Sequence, residues 1–165
     1  MSIEPNRPEI NATPPASHGA LDYAELEQLG LHPDQVTDFS VNSNPFGPSP
    51  AVTQALQSVP PDRYPDRESI ALRRQLSAHL SISPENILTG NGGAELLWLV
   101  SFVFLQRHDP VLIIGPTFGE YSRTAALMGA NIHEWQAPAA DNFQVDPAAV
   151  AAELTRLRPR LVFVC

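Results

Sequence analysis

The stretch Thr89-Gly90-Asn91-Gly92-Gly93-Ala94-Glu95-Leu96-Leu97-Trp98-Leu99-Val100 decides the reading of this chain. A glycine cluster opens into an apolar run that reads as a mostly buried helix over residues 94–105, and Ile87-Leu88 just before it reads as a short strand. Glycines let backbone N–H groups approach a ligand closely. The first turn of a helix adds N–H donors that lack intrahelical partners, together with the positive end of the helix dipole. That combination makes a phosphate site. The same glycines also suit a turn needed only for close packing, and composition does not separate the two. Two nucleotide loops fail the match. A G-x-G-x-x-G/A fingerprint begun at Gly90 puts Glu95 in place of its last small residue, and a Walker A loop needs a lysine.

Outward from this loop the chain alternates. Residues 111–114 form an apolar strand buried on both faces, 120–128 a helix, 131–135 a strand, 147–157 a helix and 161–164 a last strand. Strands alternating with helices of about ten residues or more imply a mainly parallel α/β sheet. Upstream, helices are expected over 22–29 (stopped by Gly30), 51–57 and 69–80, with an extended piece at 38–41 and a loop at 42–48. Residues 1–17, rich in Pro, Asn and Ser, read as a mobile arm.

Directly after the buried strand comes Gly115-Pro116-Thr117-Phe118-Gly119-Glu120-Tyr121. An aromatic at a strand's carboxyl end can stack on a flat ring lying across the sheet. For a lone Phe, packing in the core is the better reading; the place of Phe118 one strand beyond the glycine loop makes stacking more credible.

Composition bounds the rest. The 165 residues suffice for a hydrophobic core, and 43% apolar with 17% charged residues describes an ordinary globular chain. A net charge of −8 argues against nucleic acid or an acidic membrane as partner. No apolar run is long enough to span a bilayer, and the start lacks the pattern of a signal peptide. The single cysteine, Cys165, fits a cytoplasmic location. His32, His79, His108 and His133 have no Cys or His at ligand spacing, so no metal site is expected. Asp62, Asp66, Arg67 and Glu68 read as a solvated cluster. All ten basic residues in the Lys+Arg count are arginines.

An ordered set of segments carries a resemblance. They are Ser17-His18-Gly19, Asp38-Phe39-Ser40-Val41-Asn42-Ser43-Asn44-Pro45-Phe46-Gly47-Pro48, Arg63-Tyr64-Pro65-Asp66, Leu72-Arg73, Glu85-Asn86-Ile87-Leu88-Thr89-Gly90-Asn91-Gly92 and Pro116-Thr117-Phe118-Gly119-Glu120-Tyr121. From about residue 17 onward the chain resembles the amino-terminal half of a fold-type I enzyme dependent on pyridoxal 5'-phosphate (PLP), of the class I/II aminotransferase superfamily. The resemblance implies an incomplete three-layer α/β large domain over 49–165, preceded by an arm and small-domain segment over 1–48. It implies PLP as cofactor, with its phosphate on the backbone N–H groups of Gly92, Gly93 and Ala94 and its ring against Phe118. Tyr64 would reach the phosphate of the neighbouring subunit in a homodimer. His18, Asn42 and Asn44 would lie near a small phosphorylated amino-acid substrate; a histidine so near a terminus is also often merely solvated. The same segments resemble most closely the threonine-phosphate decarboxylases of cobalamin biosynthesis, with histidinol-phosphate aminotransferases of histidine biosynthesis second.

Two departures qualify that resemblance. Members of the superfamily hold PLP through a lysine, and none is present here, so no catalytic residue is assigned to this chain and a non-catalytic, phosphate-binding product stays open. In the superfamily the chain continues past the strand ending at Cys165 with an Asn-Pro segment, an aspartate, the lysine and arginines. Ala20 stands where the decarboxylases carry a glycine after His-Gly, and alanine resists positive φ, so a different path for the arm is expected.

Overall fold

A computed structural model describes residues 7–16 and 19–165. They divide into two compact units, one of residues 7–16 with Leu88–Cys165 and one ending at Ile87.

In the first unit a three-stranded parallel sheet is the organising element. Its strands are β1 (Pro110–Gly115), β2 (Asn131–Gln136) and β3 (Leu161–Phe163), in the order β2-β1-β3. Pro110 pairs with Asn131 and Ile114 with Trp135, while Val111 pairs with Leu161 and Ile113 with Phe163. β1 is therefore central, which explains its unbroken apolar sequence: Val111, Leu112, Ile113 and Ile114 are all buried. The first connection leads out to β2 and the second returns across β1 to β3. Right-handed crossovers in opposite directions put their two helices on opposite faces of the sheet.

Those helices, numbered in chain order with the rest, are α6 (Glu120–Leu127) and α7 (Pro147–Leu157). A third, α5 (Gly92–Phe104), precedes the sheet. Leu105, Val111, Ile113, Ala125 and Phe163 form the buried core, with Leu97 of α5 and Tyr121 of α6 against it. Ser101 on α5 donates a fully buried hydrogen bond of 3.0 Å to Thr124 on α6, joining the two helices. Only Ser101 of α5 is buried outright, and Phe102 and Val103 are 72% and 67% exposed. The expectation of a mostly buried helix is corrected: three strands are too narrow a surface to cover more than one stripe of it.

Residues 7–16 are not the loose arm read from composition. They carry α1 (Pro8–Ala12), started by proline at its amino end. Arg7 donates to the Leu127 carbonyl at 3.1 Å, and Glu9 pairs with Arg107 at 2.9 Å, so the segment is tied to α6 and to the turn before β1.

The second unit holds α2 (Tyr23–Leu29), α3 (Pro50–Gln57) and α4 (Ile70–Leu80). The Asp22 carboxylate caps α2 through the N–H groups of Ala24 and Glu25, and Gly30 ends it at φ 66°. Among its described residues only Leu26 is buried. Two short strands expected here and at the boundary do not form. Residues 38–41 have no ladder partner because Asp38 captures both the N–H and the hydroxyl of Ser40 (2.7 and 2.6 Å), a local bond that competes with an extended strand. Ile87 and Leu88 also lie outside any ladder, after a 3-10 turn at Pro84–Asn86.

Candidate functional site

The glycine loop runs into α5 two residues earlier than the sequence suggested, so Gly92 and Gly93 are its first helical residues and Ala94 completes the opening turn. Gly92 holds φ 82°, a conformation that costs other residues strain. A Cβ on Gly92 or Gly93 would meet nothing within 4 Å, so this turn faces open space. The Gly92 N–H donates to the Gly90 carbonyl at 3.0 Å. Gly93 and Ala94 follow in the turn whose N–H groups have no intrahelical acceptors, and the Asn91 side chain does not cap them. The loop thus presents glycine-lined backbone donors at the positive end of a 13-residue helix.

Element lengths place Phe118 at the same level. The 13 residues of α5 span roughly 20 Å at ~1.5 Å each. The six residues of β1 span roughly 20 Å at ~3.3 Å each. A short turn joins the end of α5 to the start of β1, and Leu97 packs against the core cluster that includes Val111 and Ile113. The start of α5 therefore returns to the carboxyl edge of β1, where the Phe118 loop leaves the strand.

Phe118 is 41% exposed and not a core residue. Its ring meets Tyr121 edge-on (centroids 5.9 Å, planes at 88°), and Tyr121 in turn stacks on the buried Phe163 of β3 (4.9 Å, 13°). Residue types alone did not disclose this row of three rings; the i, i+3 spacing of Phe118 and Tyr121 across the start of α6 was the signal available. Cys165, beyond β3, lies beside it. The Tyr121 hydroxyl holds the thiol below its ordinary range, while the thiol and burial push the Tyr121 phenol up. Between α5 and α6, the Arg123 guanidinium lies 5.8 Å from the Trp98 ring centroid and pairs with the buried Glu120 at 3.1 Å.

The other expected site residues belong to the second unit. Tyr64 is fully exposed in a loop with Pro61, Asp62 and Arg63. Asn42 is exposed. Asn44 spends both ends of its amide on its own turn, accepting from the Phe46 N–H at 3.0 Å and donating to the Gly47 carbonyl at 3.1 Å. His18 lies outside the described residues. Beside it, Ala20 corrects the expectation drawn from its side chain: it adopts φ 124°, and its N–H donates to Ser40 Oγ at 2.8 Å. The Asp38–Ser40 pair thus binds the 19–20 segment, and a Cβ on Gly19 would fall 1.9 Å from the Ser40 carbonyl oxygen. Residues 19–20 and 38–40 are thereby held together within the second unit. No group of His, Cys, Asp and Glu among the described residues could hold a metal ion.

Aminotransferase class I and II proteins match residues 34–165. The chain belongs to that family. It is 40% identical to the histidinol-phosphate aminotransferase of Moorella thermoacetica over 144 residues, covering 86% of this chain and 36% of the relative. It is 34% identical to the threonine-phosphate decarboxylase of Salmonella typhimurium over 154 residues, covering 91% of this chain and 41% of the relative. The histidinol-phosphate aminotransferase of Sinorhizobium meliloti, solved in complex with pyridoxal-5'-phosphate, shares the fold with a TM-score of 0.78 over 99% of this chain and 42% of that one, at 22% identity. This chain spans less than half the length of these relatives. The cofactor of the family is PLP, and the residues present fit it: an open glycine-lined turn of unpaired donors suits its phosphate, and Phe118 offers a ring at the same edge. The sheet described here is parallel and three-stranded, part of an α/β domain. Among the described residues no helix is long and apolar enough to cross a membrane.

Proposed function

We propose that this chain supplies the cofactor-phosphate and ring-stacking part of a PLP-dependent aminotransferase acting on a small phosphorylated amino compound, with histidinol phosphate as the first substrate to test. The observation that carries the reading is the opening turn of α5, glycine-lined and open at Gly92 and Gly93, at the same sheet edge as Phe118. In this reading the N–H groups of Gly93 and Ala94, with Gly92 beside them, bind and orient the phosphate. Phe118, backed by Tyr121, fixes the plane of the ring. When bound, PLP supplies the electron-withdrawing ring that loosens bonds at the substrate's α-carbon. A lysine is needed for proton transfer at that carbon; the chain has none, so the lysine must come from outside these residues. Tyr64, Asn42, Asn44 and His18 would contribute to phosphate and substrate binding in a homodimer.

Histidinol phosphate is favoured by the names of the relatives, most of which are histidinol-phosphate aminotransferases. Decarboxylation of threonine phosphate is the second reading, supported by 34% identity across 91% of the chain. The lysine-bearing protein that contains this chain decides between them. Amino transfer from histidinol phosphate to a 2-oxo acid supports the first reading. Carbon dioxide release from threonine phosphate without amino transfer would replace it with the second.

A further inference from the structure

Within the proposed phosphate turn sits a carboxylate, which by charge alone is the wrong group for the place. Glu95 is partly buried in the first turns of α5. One of its oxygens accepts from the Asn91 backbone N–H and, at 3.0 Å, from Asn91 Nδ2. The same oxygen would lie 3.0 Å from a Cβ on Gly90, so the loop presses closely on the helix here.

The consequence concerns Asn91. Asparagine at an N-cap ordinarily turns its side-chain oxygen onto the N–H groups of the second or third helical residue, which here are Gly93 and Ala94. Asn91 makes no such cap. Its amide is engaged by Glu95 instead, and the Gly93 and Ala94 donors are left for a ligand. We infer that Glu95 is a positioning residue that holds Asn91 away from the helix end and so keeps the phosphate donors of α5 open. This rests on the phosphate reading of the turn. It adds a residue whose effect on phosphate binding runs through another side chain and opposes what its charge alone would predict.

Glu95→Gln and Glu95→Asp separate reach from charge. Glutamine keeps an acceptor at the same distance and loses the charge, whereas aspartate keeps the charge and loses one methylene of reach. The probes are pyridoxamine 5'-phosphate and pyridoxamine, which differ only in the phosphate and form no imine with protein amines. Dissociation constants would be read from quenching of Trp98 and Trp135 fluorescence. For Glu95→Asp, the phosphorylated probe is expected to bind about tenfold more weakly, the scale of one lost hydrogen bond to a charged group. Pyridoxamine affinity should stay unchanged, and the melting temperature should not fall, because the released Asn91 caps α5. Glu95→Gln should bind both probes within about twofold of the wild type. Wild-type affinity for the phosphorylated probe in Glu95→Asp, an equal loss for pyridoxamine, or a loss in Glu95→Gln as large as in Glu95→Asp would each overturn the inference. Failure of the wild type to prefer the phosphorylated probe would instead remove the phosphate reading itself.

Discussion

Ala20 shows how far a single residue can be held from its preferred backbone. Its φ of 124° lies where a Cβ is strained, yet its N–H is fixed to Ser40 Oγ and Gly19 beside it fits only without a side chain. Replacing Ala20 by glycine should therefore raise stability by about 1 kcal/mol, since strain of this kind costs on the order of 1–3 kcal/mol and the added freedom of the unfolded chain takes part of it back. Denaturant melts of the two proteins measure it, and an unchanged or lower midpoint would show that Ala20 is unstrained. At the sheet edge, the Tyr121 hydroxyl stabilises the Cys165 thiolate. A lowered thiol pKa means the reactive anion is already present at pH values where an ordinary thiol is protonated. The rate of alkylation by iodoacetamide should then rise at lower pH than for a free thiol, and Tyr121→Phe should move that profile upward. Superimposable profiles would remove the hydroxyl from the account. Neither feature is visible in composition, because each depends on a partner distant in sequence.

The elements that were legible in the sequence are those set by periodicity and punctuation. α7 begins at a proline with Asp146 capping the Ala148 N–H, and β1 reads as a doubly buried strand because every residue of its apolar run faces either α-helical layer. The strands expected at 38–41 and 87–88 failed for a reason that residue types conceal: a strand needs a neighbour to pair with, and Asp38 offers Ser40 a local bond instead. The start of α5 was misplaced because glycine's poor helix propensity hides a helix that begins on two glycines. β1 carries the packing of the first unit, so Ile113→Ala should destabilise it by about 2–5 kcal/mol, the usual cost of a buried Ile truncation. The midpoint of chemical unfolding tests this; a shift worth well under 1 kcal/mol would show that the sheet is not the stabilising centre.

For the molecule as a whole, the alternation of strands and helices around the glycine loop disclosed a parallel α/β sheet, and an ordered set of motifs disclosed the family. The balance between aminotransferase and decarboxylase was not legible. Asp38-Phe39-Ser40 and the Ser17-His18-Gly19 segment leaned towards the decarboxylase, while the relatives lean towards the aminotransferase. Of the described residues there, Asp38, Ser40 and Ala20 form a local hydrogen-bonded turn, and a turn can be shared by enzymes that act on different substrates. The absence of lysine, by contrast, is plain from composition: this chain has no side-chain amine for an imine to the cofactor. The task proposed for the chain is to hold a phosphate at the opening turn of α5, at the sheet edge that carries Phe118. The most direct test is the affinity of the wild-type protein for pyridoxamine 5'-phosphate against that for pyridoxamine. Preference for the phosphorylated compound by about tenfold or more is the predicted result, given several charge-assisted bonds from backbone N–H groups. Equal affinities would contradict the account at its centre.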